Sequence, residues 1–170
     1  MSLGLWVHFE SKRLATLHEW RAALDKLKYP LALPDSLDPS ATPGYLDCSY
    51  GGKPTSFAID LNEEPELPSP FPEEVDRQTM EFTVNTLHGE TAWFAAVAAA
   101  ASFCVATNGV VEDDSCSRFT SRRVRSWANS ILKEDDAMTK AALKYPHPES
   151  VPVSEVKGPS EPWWKWWRRT

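Results

Sequence analysis

The sequence predicts an α+β domain, a small antiparallel or mixed sheet of about four to five strands packed on about three helices. Three observations carry this. Residues 91–111 are uncharged, and 92–106 are nearly all Ala, Val, Phe, Trp and Cys without Gly or Pro. Such a run reads as a central helix over 90–107 that other elements must enclose on nearly every side. Apolar residues spaced three and four apart around 12–28 and 124–132 mark two amphipathic helices. Segments with period-two alternation, and a pair flanking Gly51-Gly52, have the chemistry of strands and a hairpin.

Taken in order, Leu3, Leu5, Val7 and Phe9 alternate over 3–9 as a half-buried strand. Ser11 is placed to cap a helix over about 12–28, whose apolar stripe is Leu14, Leu17, Trp20, Leu24 and Leu27 and which Pro30 stops. A proline-rich connector runs to Pro43. Strands at 44–50 and 54–61 form the hairpin, packed through Tyr45, Phe57 and Ile59. Residues 62–76 are rich in Pro and Glu and read as an acidic loop. Met80, Phe82 and Val84 alternate with Glu81, Thr83 and Asn85, a strand over 78–87. After the alanine-rich helix, Asn108-Gly109 supplies a left-handed residue to end it. Val110-Val111 then makes a short strand opening onto an acidic loop, Glu112-Asp113-Asp114. Val124, Trp127, Ala128, Ile131 and Leu132 form the last amphipathic helix, and Asp136 is a cap for a short extension to Leu143.

The domain therefore spans 1–144. From Tyr145 the chain is a Pro/Trp-rich tail ending in Trp163, Trp164, Trp166 and Trp167 interleaved with Lys and Arg. The central helix also has to be weighed as a membrane span. Its helical part is about 16 residues, roughly 24 Å, against a hydrocarbon core of ~30 Å. Alanine is a poor lipid-facing residue and no Lys or Arg flanks it closely. A buried core helix is the better reading, without membrane insertion.

Charge is unevenly placed. Residues 30–76 hold ten acids against Lys53 alone, a balance of −9. That block reads equally as a solvated acidic loop that serves solubility or as a surface that repels nucleic acid and steers a basic partner. Arg118, Arg122, Arg123 and Arg125 gather at the start of the last helix without interleaved aromatics, so they read as a solvated helix face and not as a nucleic-acid site. Cys48, Cys104 and Cys116 are odd in number and lack CxxC spacing, which argues against a disulfide framework or zinc site and for a reducing cytoplasm. Histidines 8, 18, 88 and 147 are scattered, and no His-x-x-x-His, phosphate-binding Gly loop or G-x-S-x-G occurs. Neither a cofactor nor a metal is called for, and an enzyme is the minority reading.

The order of these elements carries a resemblance. Its residues are Trp20 and Leu24, Leu31 and Leu33, Gly44-Tyr45-Leu46, Gly52, Phe57, Gly109-Val110-Val111, Asp113 and Trp127-Ala128. Over about residues 3–132 the chain resembles the small cytoplasmic immunity proteins encoded beside bacterial polymorphic toxins of the Rhs and type VI secretion kind. The resemblance implies a non-enzymatic protein that binds its cognate toxin effector domain and occludes the active site. The contact residues expected are Glu63, Glu64, Glu66, Glu73, Glu74 and Asp76, then Glu112, Asp113 and Asp114, then the four tail tryptophans. The oligomeric state is left open. Two rivals remain at this point: a small cysteine hydrolase, and a membrane-peripheral adaptor working through the tail.

Overall fold

A computed structural model describes residues 2–41, 44–62, 76–85, 89–133 and 135. Their elements are, in order, β1 (Ser2–Glu10), a 3-10 turn (Ser11–Arg13), α1 (Leu17–Leu27), β2 (Leu31–Ala32), β3 (Gly44–Tyr50) and β4 (Lys53–Asn62). There follow β5 (Arg77–Asn85), α2 (Gly89–Thr107), β6 (Val110–Asp113), β7 (Arg118–Thr120) and α3 (Val124–Leu132). The strands form one seven-stranded sheet in the order β2-β3-β4-β5-β1-β6-β7, with every neighbouring pair antiparallel. The α+β class is as expected, but the sheet has more strands than the four to five read from the sequence. The additional ones are the edge strands β2 and β7, of two and three residues.

Period-two alternation sets the sheet's register. Leu5 of β1 lies opposite Phe82 of β5, Val7 opposite Met80, and Phe82 also opposite Ile59 of β4. This row of side chains is buried and faces the helices. Phe103 of α2 meets Phe9 and Phe82 edge-on, Trp20 of α1 meets Phe82 and Phe103, and Trp127 of α3 stacks on Phe119 of β7. All three helices therefore lie on one face of the sheet.

Helix α2 is the centre of this layer. It packs on β1 and β3–β6, while α1 and α3 pack on it in turn. Residues 92–104 are all buried. Alanine side chains end at Cβ, so neighbours on every side approach closely, and the absence of a polar stripe leaves no side for water. By length and composition α2 is long and apolar enough to cross a membrane, yet in this fold it is enclosed. Its two buried hydroxyls bond back to the helix, Thr107 Oγ1 donating to the Phe103 carbonyl at 2.9 Å. Ser102 Oγ donates back to the carbonyls of Ala98 and Ala99 and accepts from Trp20 Nε1 at 2.9 Å.

Helix α1 begins at Leu17, later than the expected position 12, because Ser11–Arg13 forms a separate 3-10 turn. The cap is Thr16, not Ser11. Its side chain accepts from Glu19 N–H, and Glu19 Oε2 accepts from Thr16 N–H at 2.8 Å, a reciprocal capping box. At the end of α2 the left-handed residue is Asn108, with φ 54°. Gly109 serves closeness instead: a Cβ there would stand 2.5 Å from the carbonyl oxygen of His8 on β1. The extension from Asp136 to Leu143 lies outside the described residues.

Candidate functional site

The face of the sheet away from the helices carries the chemistry. One cross-strand row there runs Asp60, Glu81, Trp6, Glu112, Arg118 over β4, β5, β1, β6 and β7. The adjacent row runs Asn62, Thr79, His8, Val110, Thr120. Strand alternation alone puts these residues together, since each lies one position from a core residue. Asp60 and Asp47 are exposed, and Glu81 and Trp6 are half-buried. Asp47, Asp60, Glu81 and Asp114 make no ion pair among the described residues. Glu81 accepts only from the Thr83 hydroxyl at 3.0 Å.

Where the two rows meet, three polar side chains are buried: His8, Thr79 and Glu112. His8 Nδ1 is 2.9 Å from Thr79 Oγ1, and Nε2 faces Glu112 Oε2 at 3.5 Å. The same Glu112 oxygen accepts from Arg118 Nε at 2.6 Å. A buried carboxylate is costly unless paired, and the arginine on the edge strand supplies the pairing. Burial holds the His8 pKa below its ordinary value. Glu112 pulls it upward, while Arg118 and Arg77 push it down. The order hydroxyl, imidazole, carboxylate is that of a nucleophilic triad. Here, however, Thr79 is 2% exposed and His8 1%, so no substrate carbonyl reaches the hydroxyl. The cluster fastens β5, β1, β6 and β7 to one another, and the bond it can make or break is to a proton.

The expected acidic loop Glu112-Asp113-Asp114 is not a loop. Glu112 and Asp113 belong to β6 and are buried. Glu112 spends its charge on Arg118 and His8. Asp113 Oδ1 accepts from the N–H groups of Ser115 and Ser117 at 3.0 and 2.9 Å, which shapes the β6–β7 turn. Asp114 alone is exposed, and its carboxylate takes the Gly4 N–H at 3.1 Å, tying that turn to β1. Desolvation raises the pKa of both aspartates, against the lowering effect of these N–H groups. Two of the three acids are therefore committed within the fold, because cross-strand partners satisfy them better than solvent reached through an open loop would.

Of the other expected contact residues, Asp76 is exposed just before β5. Glu63, Glu64, Glu66, Glu73, Glu74, Trp163, Trp164, Trp166 and Trp167 lie outside the described residues. Arg118, read with the basic group before the last helix, is a strand residue bound to Glu112, and Arg122 and Arg123 precede α3. Burial pushes the Cys48 and Cys104 thiols up to about 12, so neither supplies a thiolate near neutrality. Cys104 donates to the Gly109 carbonyl at 3.2 Å, and Cys116 is exposed on the β6–β7 turn. No group of three or more His, Cys, Asp or Glu suited to a metal occurs among the described residues.

His8, Thr79, Trp6 and Glu81 were not singled out in the sequence as a site. The available signal was the alternation itself: in a strand whose odd positions are core, His8 and Trp6 must share the opposite face. No protein-family model matches the chain, and no curated protein matches it.

Proposed function

We propose that the protein is a stoichiometric inhibitor of the immunity type, which binds a cognate toxin effector domain in the cytoplasm and covers its catalytic cleft. The observation that carries this reading is the sheet face opposite α1–α3, where, among the described residues, Asp60 and Glu81 share a cross-strand row with Trp6, Asp47 stands on β3 of the same face, Asp114 follows the end of β6, and none of the four makes an ion pair. A broad, half-polar strand surface with unneutralised carboxylates and a central indole suits a basic partner, because Trp anchors and complementary charge govern protein association. In sequence, the segment between β4 and β5 carries further acids, Glu63, Glu64, Glu66, Glu73, Glu74 and Asp76. Glu112 and Asp113 are not part of this surface, since they are engaged inside the fold.

The test is co-purification with the toxin domain encoded beside this chain, followed by stopped-flow association. Asp60→Lys with Glu81→Lys should slow association roughly tenfold at low salt and flatten its salt dependence. An association rate that these changes leave untouched would remove the sheet face from the interface. Failure of the neighbouring toxin domain to bind at all would remove the immunity reading.

A further inference from the structure

We propose that Trp6, lying over Gly4 between Glu81 and Asp114, is an arginine receptor on which a side chain of the partner protein stacks, its guanidinium held by the two carboxylates. This rests on the reading of the outer sheet face as the partner's surface, and it names the group that the partner brings there. Strand alternation makes the platform. Gly4 and Trp6 are two positions apart on β1 and share the face away from the helices. A Cβ added at Gly4 would stand 2.9 Å from both Cη2 and Cζ2 of Trp6, so the benzo half of the indole lies on the bare Cα of the glycine. Gly4 is not among the residues with positive φ, and its use is the space it leaves for the ring. One π-face is thereby turned to the sheet and the other away from it. Trp6 makes no ring contact among the described residues.

The carboxylates stand on either side of this ring. Glu81 of β5 is directly opposite Trp6, and its Oε1 accepts from the Thr83 hydroxyl, which leaves Oε2 for a ligand. On the β6 side Asp114 takes the Gly4 N–H at 3.1 Å, which fixes its carboxylate beside the glycine that carries the indole. Burial is the main cause of the raised Asp114 pKa, and the negative charges of Asp113 and Glu81 add to it. Glu81 and Asp114 therefore feel each other across the ring. Neighbouring strands lie about 4.8 Å apart, so β5 and β6 stand about 10 Å apart across β1. A guanidinium laid flat on the indole closes that gap with a charge-assisted bond of about 2.8 Å to each side. Arginine fits this shape better than lysine. Its planar cation stacks on the ring while its N–H donors leave in the stacking plane, towards both acids, whereas an ammonium is a point charge. Asp60, exposed and opposite Glu81 on β4, adds attraction for an approaching cation, and the same charges turn phosphate away.

Titration of the isotope-labelled intact chain with the peptide acetyl-Gly-Arg-Gly-amide, followed by amide and indole NMR shifts, tests this without the toxin domain. The Trp6 indole N–H and the Gly4 amide should shift together and saturate, and the lysine counterpart of the peptide should bind roughly fivefold more weakly. Trp6→Leu keeps an apolar side chain without a π-face, and Glu81→Gln keeps an acceptor for Thr83 without the charge. Each should weaken the arginine peptide roughly fivefold, read at the Gly4 amide. Equal affinity for the two peptides, an affinity that neither substitution alters, or shifts confined to other residues would each overturn the receptor. So would arginine-peptide binding that strengthens in Arg168→Gln with Arg169→Gln, since residues 163–169 of the chain itself would then be the occupant. None of these readings depends on co-purification, so the receptor can fail while the immunity reading stands, and a toxin domain that does not bind leaves the peptide result in place.

Discussion

Gly109→Ala separates two explanations of how the central helix hands over to β6. Were Gly109 present for left-handed backbone, alanine would suffer only a conformational penalty. The left-handed residue is instead Asn108, and Gly109 lies against β1. An added Cβ would meet the His8 carbonyl oxygen at 2.5 Å, Thr107 Oγ1 at 3.0 Å and Phe9 Cβ at 3.3 Å, where ordinary contact begins at 3.4 Å. The nearest atom is backbone in a central strand, so β6 or the helix end has to move. Overpacking of this kind costs about 1–3 kcal/mol. Gly→Ala also stiffens the unfolded chain, which offsets about 0.4–1 kcal/mol. The expected net loss is about 1–2 kcal/mol, or roughly 2–8 °C in melting temperature for a chain of this size. Asn108→Gly is the control. It relieves the left-handed cost but gives up the Ser121 hydroxyl's bond to Asn108 Oδ1, so it should stay within about 0.5 kcal/mol of the parent. Urea unfolding followed by circular dichroism reads both. A Gly109→Ala midpoint equal to the parent's, with unchanged slope, would refute the close-approach explanation.

Three more outcomes follow from the geometry. Trp20→Ala should cost about 3–5 kcal/mol and Trp20→Phe about 1–2, because phenylalanine keeps contact with Phe82 and Phe103 but gives nothing to Ser102 or the Ala99 carbonyl; urea midpoints that do not rank in this order would count against the packing described. Stability should fall as pH drops below the unfolded histidine value of about 6.5, since the pKa of buried His8 is lowered and the unfolded chain binds the proton first. Asp113 and Asp114, with raised values, act in the opposite sense nearer acid pH, so His8→Gln should flatten only the upper part of a stability–pH curve. With a thiol reagent at about pH 8, Cys116 should react quickly in the native protein, while Cys48 and Cys104, pushed up to about 12, present roughly one thiolate in ten thousand and wait for unfolding.

Long, periodic elements were legible from residues alone. Leu3, Leu5, Val7 and Phe9 announce β1, and the alanine run announces α2, because each pattern repeats often enough to exclude the other period. The two shortest strands were not. Leu31–Ala32 and Arg118–Thr120 become strands only because β3 and β6 offer them hydrogen bonds, and two or three residues hold no period to read. The start of α1 was missed for another reason. Thr16-Leu17-His18-Glu19 spells a capping box, but the stripe can be extended back to Leu14, which drew the boundary towards Ser11.

The same contrast explains the candidate site. Glu112-Asp113-Asp114 has the composition of a solvated turn, and propensity favours that reading. Tertiary pairing overrides it: Trp6 and Leu5 lie opposite Glu112 and Asp113, Arg118 arrives across the strand, and the turn's own N–H groups take Asp113. The partners of Glu112 come from positions 8 and 118, far apart in the chain, so no local window contains the site. A negative charge seen in sequence is therefore a poor guide to a negative surface. On this sheet the acids free to meet a partner are the ones that local pattern places on a strand's outer face, Asp47, Asp60 and Glu81, whereas two of the three that cluster in sequence are consumed in holding the edge strand on. Charge reversal at Glu112 should accordingly unfold or loosen the β6–β7 edge, and charge reversal at Asp60 should leave stability nearly unchanged while altering association.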